Sequence, residues 1–448
     1  MTSTADLTQG PPLRGLLRLA VPLLAGSVLN LSASLGDRLW VGSLGSEALA
    51  GLGVAHALWL LAFTALLGLG LGTLSSVAKA RGAGARPGAC AGQGLVAGGV
   101  LGAALAILGG LAAGPLMATL APVGALEAGA TAYLQIVFAS ACFSAPLVVA
   151  LFSLQAAGEG RAALVAGAVL PLGNLVLDPL LIYGLNGGLV GAAWATLLAT
   201  LAALGVALVR LRRHLGLRAS DLRPDPASLR AIVGVGAPRT LDHLCRNGAG
   251  LALVVFLAPF GAAAVSAYTA ALVLLLVLIF PGIALGQASA AFVGQNLGAG
   301  QPERAWHGVR IVLMAYGACL ALAGLVLAVA APSLISLFDS DPHAVRAGTL
   351  LLRSLAPVLP LLGAGLVLGK AFGGAGQAGP ALAATAAAHL GVQLPLVVLL
   401  SRTHGLEGVF FAMALAYAVH GVLHIWLFRS LSSPARAPQL ATSRGSLS

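Results

Sequence analysis

The 448 residues are 59% hydrophobic and only 8% charged, with a mean hydropathy of +0.98. Soluble domains carry about 25% charged residues, so this composition excludes a water-soluble enzyme or binding module and points to a chain threaded through a bilayer. A net charge of +11 would suggest nucleic acid in a soluble protein, but here the basic residues lie between the apolar runs. They therefore read as a topology signal, and no nucleic-acid partner is expected.

A membrane helix needs about 20 apolar residues. In chain order such runs fall at 16–40, 48–77, 91–113, 130–156, 162–183, 188–210, 230–257, 263–293, 307–331, 346–370, 380–401 and 407–429. The first continues well past signal-peptide length and is expected to be retained. The fold class is thus all-α, a polytopic membrane protein of twelve transmembrane helices. Arg14 and Arg18 precede the first span, Lys79, Arg81 and Arg86 follow the second, and Arg161 opens the fifth. Arginines from Arg210 to Arg230 fill the loop after the sixth, Arg304 and Arg310 follow the eighth, and Arg429, Arg436 and Arg444 follow the twelfth. The opposite loops at 42–47, 121–127 and 185–188 carry no arginine or lysine, and only Arg346 and Arg402 break the pattern. Short basic loops stay cytoplasmic, so both termini are expected there, with the spans in the inner (plasma) membrane. The four cysteines lack paired spacing and are expected to be free thiols.

The chain repeats itself. Pro22 and Pro238 each stand early in a helix, and at their offset of 216 Gly45 matches Gly261, Gly70 matches Gly286, and "GAG" at 82–84 matches "GAG" at 298–300. Further on, "AAGEG" (156–160) resembles "GAGQAG" (374–379), and "GGLVGAAWAT" (187–196) resembles "HGLEGVFFAM" (404–413). A six-helix unit enters and leaves on the same side, so the two copies form parallel repeats, the arrangement of alternating-access carriers. The expected organisation is an N-lobe at 1–211, a cytoplasmic linker at 212–229, a C-lobe at 230–430 and a cytoplasmic tail at 431–448. Such a carrier is expected to act as a monomer.

Three stretches carry a family resemblance: "LGDRLWVGSLGSEALAGLG" (35–53), "GNLVLDPLLIYGLNGGLVGAAWAT" (173–196) and "FPGIALGQASAAFVGQNLGAGQPERA" (280–305). Over nearly its whole length the chain resembles the multidrug and toxic compound extrusion (MATE) family. The resemblance implies two six-helix lobes around a central cleft, through which cationic or amphipathic small molecules leave the cell in exchange for H⁺ or Na⁺. It implies no cofactor beyond that coupling ion, and no enzyme activity.

An ionisable residue at membrane depth costs about 2.5 to 3.5 kcal/mol on insertion scales and marks a substrate or ion pathway by default. Asp37, Asp178 and Asp242 are the carboxylates that fall within spans. Asn174 and Asp178 share one helix face, and Pro179 denies the next turn a hydrogen bond. By the resemblance, Asn174 and Asp178 match the family's fifth-helix motif and Asp37 its first-helix acid, so these three are the expected ion or proton coupling residues. A capping or interface role near the outer surface is the alternative. Arg38 points about 100° from Asp37 and is expected to extend to the interface or to another helix, although in that position the family more often has a small polar residue. Asp242, beside Arg239, His243 and Arg246, together with Gln287 makes a candidate C-lobe polar site; for Asp242 an internal ion pair with Arg246 is equally open.

Other signals carry less. "HGVLH" puts His420 and His424 one turn apart without the Glu of a zinc-protease motif, so no metal is expected and the pair reads as interface histidines. "GLGLGT" (68–73) superficially matches a dinucleotide loop but lies inside a helix, where close packing explains it. His56 and His389 read as structural, and Lys370 as a snorkelling lysine. A lipid-linked precursor flippase is the rival transport reading, but it should line its cleft with basic groups, whereas most arginines here lie in loops. A membrane-embedded enzyme or receptor would need a catalytic cluster or soluble domain, and the sequence presents neither.

Overall fold

The computed structural model describes residues 6–121 and 129–431, so most of the 121–127 loop and all but the first residue of the 431–448 tail lie outside the described residues. Every regular element among the described residues is helical. In chain order these are α1 Pro12–Gly42, α2 Ser46–Gly82, α3 Pro87–Leu120, α4 Ala130–Ala139, α5 Ala141–Ala156, α6 Gly160–Pro179, α7 Gly188–Leu215 and α8 Pro226–Leu257, then α9 Ala262–Gly298, α10 Pro302–Ser336, α11 Pro342–Leu355, α12 Leu359–Ala375, α13 Ala378–Ala386, α14 Leu394–Thr403 and α15 Gly405–Leu431. Among the described residues eleven segments are long and apolar enough to cross a membrane, and the pair α4–α5, bent by 47°, makes up to twelve. The bend falls at Ser140, whose hydroxyl donates to the Val137 carbonyl at 2.6 Å; a serine that bonds back into its own turn loosens the backbone ladder there. Large apolar side chains stand exposed along the spans, among them Leu39 (75%), Leu111 (75%) and Val329 (73%), as a lipid-facing surface requires.

The chain forms two compact units. One contains Arg18–Thr240, and the other Gln9–Leu17 with Leu241 onward, so the division falls inside α8 and not in the linker expected at 212–229. That linker belongs to the first unit by its contacts. Gln93, buried on α3, donates to the carbonyls of Asp221 (2.9 Å) and Arg223 (2.7 Å) and accepts from the Asp225 N–H (2.8 Å). Arg86 meets both oxygens of the buried Asp221 carboxylate at 3.1 Å. At the start of α8 the Asp225 carboxylate accepts from the Ser228 N–H at 3.0 Å, and its bonds to the Ser228 side chain and backbone hold its carboxyl below the usual range. A hydrogen bond contributes about 0.5 to 1.5 kcal/mol net, so Gln93→Ala is expected to raise the rate of tryptic cleavage at Arg218 and Arg223 about tenfold, through easier local opening. Limited proteolysis of the protein in nanodiscs checks this, and an unchanged rate would mean that Gln93 does not hold the segment.

The repeat is visible in the backbone. Gly45 before α2 and Gly261 before α9 share one unusual conformation, with φ of 116° and 92° and ψ of 167° and 171°. Only glycine adopts that region without strain. Farther along the same two helices, a Cβ at Gly70 would lie 3.0 Å from Phe152, and one at Gly286 would lie 2.8 Å from Cδ of Lys370. The helix crossing is the same in both units, with phenylalanine in one seat and lysine in the other. Lys370 is therefore buried at 6% exposure and does not snorkel. The "GLGLGT" run packs as expected, since a Cβ at Gly68 would lie 2.6 Å from the Gly236 carbonyl.

Candidate functional site

The first unit gathers its polar residues at the far ends of α1 and α6. Asp37 lies on the penultimate turn of α1, half-buried, while Arg38 beside it is exposed. Consecutive helical residues diverge by about 100°, so the one carboxylate turns into the unit and the guanidinium turns out. Asn174 and Asp178, one turn apart on α6, are buried at 7% and 2% exposure. The Asp37 and Asp178 carboxyls meet in a side-chain hydrogen bond. Arg38 and His56 of α2 lie within electrostatic range of Asp37, and Tyr133 of α4 within range of both acids.

The local sequence explains how two helix ends are held in this register. Pro179 has no N–H to offer the carbonyl four residues back, and directly after it the chain widens into a π turn at Leu180–Gly184. That turn carries Tyr183 outward, where its hydroxyl donates to the Trp40 carbonyl at the end of α1 at 2.6 Å and touches the Ser43 hydroxyl. The Tyr183 and Trp40 rings pack edge to face at 6.2 Å. Beneath lies an apolar cluster of Val41, Leu52, Met117, Leu134, Phe138 and Ile182, which keeps the surroundings of the pair low in dielectric. Asn174 Nδ2 reaches Thr196 Oγ1 of α7 at 3.5 Å. Asn174 Oδ1 and Asp178 Oδ2 are buried without a backbone or side-chain N–H or O–H donor. The Asn174 amide oxygen, one turn from the carboxyl pair, and the open Asp178 oxygen form a seat for a proton or a small hard cation. Tyr183→Phe removes the clamp's donor and is expected to lower the thermal midpoint by a few degrees, for about 1 kcal/mol; a thermal-shift series that moves by less than a degree would contradict the clamp.

The second unit places the remaining candidates differently from expectation. Asp242 of α8 is buried at 3% and accepts a hydrogen bond from the Thr385 hydroxyl of α13 at 2.5 Å. Arg246 turns toward His243, with Nη2 to Nδ1 at 3.3 Å. Gln287 stands half-buried on α9, beside the Gly286–Lys370 crossing, whereas Asp242 bonds to Thr385. His420 and His424 of α15 are buried at 3% and 0%, so they are not interface histidines. Their spacing on one helix face is the sequence signal for Thr385's neighbourhood; Thr385 itself had none.

Comparison with known proteins follows the same division. The MatE family matches residues 22–180 and again residues 238–399, opening each time on the proline that opens the repeat. The FAD transporter of Shewanella oneidensis is 28% identical over 98% of this chain and 99% of its own. The probable multidrug resistance protein YpnP of Bacillus subtilis is 26% identical over 92% and 94%. Among solved structures, an outward-facing multidrug resistance MATE transporter superposes with a TM-score of 0.86 at 25% identity over 98% of this chain and 99% of that one, and a MATE protein in its bent conformation does so at 0.88, also at 25%, over 99% of each. The family members and structural neighbours are transporters and not enzymes. The chain belongs to the MATE family of multidrug and toxic compound extrusion transporters.

Proposed function

We propose that this protein exports organic cations or amphipathic compounds in exchange for H⁺, by alternating access between its two halves, with both termini in the cytoplasm and one chain as the working unit. The observation that carries the reading is the hydrogen-bonded carboxyl pair Asp37–Asp178. Two carboxyls can bond to each other only while they hold at least one proton. When the proton leaves, two carboxylates stand in contact in an apolar setting and repel. A conformer that separates or hydrates them then gains population, and any substrate that binds that conformer better is coupled to the proton. An apolar recess of about 490 Å³ in the first unit, lined by residues that include Leu69, Val96, Val100, Leu101 and Val233, supplies surface for a hydrophobic substrate body. Na⁺ is the competing ion, because Asn174 Oδ1 and Asp178 Oδ2 are the hard oxygen ligands it prefers.

A flavin dinucleotide is the second substrate reading, supported by the Shewanella relative that matches over nearly the full length. Inside-out vesicles test both together. Under an imposed pH gradient, uptake of a fluorescent cationic dye is expected, and it should persist without Na⁺. Uptake of FAD and not of the dye would replace the first substrate class with the second. Uptake that needs Na⁺ and ignores the pH gradient would overturn proton coupling.

A further inference from the structure

Unit 2 holds three histidines away from solvent: His389 in the π turn Ala387–Gln393 between α13 and α14, and His420 and His424 on α15, at 1%, 3% and 0% exposure. None belongs to the Asp37–Asp178 site, which is built from the first unit alone. Their hydrogen bonds assign the tautomers. The Thr385 hydroxyl lies 2.5 Å from Asp242 Oδ1, 3.1 Å from the Ala381 carbonyl and 3.3 Å from His420 Nε2. Carboxylate and carbonyl oxygens only accept. The single hydroxyl proton therefore goes to Asp242, the stronger acceptor, and His420 Nε2–H donates to Thr385. His420 Nδ1 is then the bare lone pair of a buried ring, and no protein donor meets it. Its neighbours are committed otherwise, for His424 Nδ1 lies 2.8 Å from the His420 carbonyl and His389 Nδ1 lies 2.6 Å from Gln393 Oε1, both as donors.

Space around the ring is reserved for it. A Cβ at Gly365 on α12 would overlap His420 Nδ1 and Cε1, so the glycine admits the imidazole edge that carries the lone pair. The His389 and His424 rings stand 5.4 Å and 4.3 Å from that of His420. Facing groups on the packed elements are Asp242 and Arg246 of α8, Thr385 of α13, His389 of the π turn, and Tyr417 and His424 of α15, with Tyr268 on α9 beside Tyr417. Among the described residues no three His, Cys, Asp or Glu side chains converge as metal ligands. A donating Nε2–H also suits a proton site better than a sodium site, which wants oxygens alone.

We propose that the Asp242–Thr385–His420 chain is a second proton-binding site of this transporter, independent of the carboxyl pair. An arriving proton bonds to the His420 Nδ1 lone pair. The imidazolium so formed keeps its Nε2–H on Thr385, and Thr385 keeps its proton on Asp242, so the carboxylate balances the new charge through the hydroxyl and no other bond changes. Release returns the lone pair. The Arg246 charge opposes this proton and the Asp242 carboxylate favours it; His389 and His424, once charged, would repel it too, so the cluster holds one proton at a time. The protonated edge faces Gly365, which places the α12–α15 contact under the control of this proton.

The test reads the ring itself and needs no transport. Full-length protein labelled with ¹⁵N-histidine, carrying Asp37→Asn and Asp178→Asn to silence the carboxyl pair, is titrated in nanodiscs over roughly pH 4 to 9. One buried ring is expected to pass from lone-pair to protonated Nδ1 and to vanish from the spectrum in His420→Gln. Thr385→Ser should keep that transition, whereas Thr385→Val and Asp242→Asn should abolish it within the range. A His420 signal that stays constant across the titration overturns the site. So does a transition that survives Asp242→Asn unchanged, or a signal that responds to Na⁺ at fixed pH and not to protons. Folding of each variant is read from the remaining histidine signals, and because the carboxyl pair is absent throughout, failure here leaves the proposed transport mechanism untouched.

Discussion

Asp178→Asn is expected to reduce gradient-driven efflux at least about tenfold, equivalent to some 1.4 kcal/mol of lost coupling, while shifting the thermal midpoint by only a few degrees. Asn has the size of Asp, and its amide N–H can donate to Asp37 in place of the shared proton, so the packing around a side chain at 2% exposure is retained. What disappears is the exchangeable proton, since an amide neither ionises nor repels Asp37. The same loss is expected of Asp37→Asn, and the double variant should be no worse than either single one, because the two carboxyls act as one site. Dye uptake into proteoliposomes, with a thermal-shift control, measures both quantities. Full transport by Asp178→Asn would exclude the pair from coupling.

The largest effect on stability is expected at Gly374, where α12 crosses α9. A Cβ there would run into the Ala290 carbonyl and lie 2.7 Å from its Cα and carbonyl carbon. Those atoms belong to backbone inside a helix and cannot swing aside as a side-chain tip does. Gly374→Ala should therefore force the helices apart at a cost of about 1 to 3 kcal/mol or more. Gly99→Ala on α3, where nothing lies within 4 Å, is the control, and it should be neutral or slightly stabilising, by at most about 1 kcal/mol. Thermal midpoints of the two variants in one detergent separate the cases; equal midpoints would mean that the α9–α12 crossing is looser than its geometry.

Much of the architecture was legible because it follows from repetition and solvent. Apolar runs long enough for a bilayer located the spans, and Gly45 with Gly261 could be matched from spacing because a backbone that only glycine adopts cannot drift. The first-unit site was legible for a related reason: Asn174 and Asp178 share a helix face by periodicity, and Pro179 announced a break that the structure realises as a π turn. What sequence could not show was contact between residues far apart in the chain. Thr385 is one threonine in an alanine-rich helix, and nothing local marks it as the partner of Asp242, 143 residues away. Lys370 looked like a lysine able to reach water, since its burial depends on Gly286 of another helix. His420 and His424 looked like boundary residues because apolar periodicity does not tell depth in lipid from depth in protein.

The π turn after Pro179 has a further meaning for how such a helix can change. Its closing bond runs from the Leu185 N–H to the Leu180 carbonyl at 3.0 Å, so the turn contains one residue more than an α-helix would use, and that surplus is a phase slip. Removing it would rewind everything beyond by about 100° and swing Tyr183 away from Trp40, at the cost of one backbone bond and the Tyr183–Trp40 clamp. The seam beside Asp178 is thus where the helix can be rephased most cheaply, as a screw thread turns at its one loosened pitch.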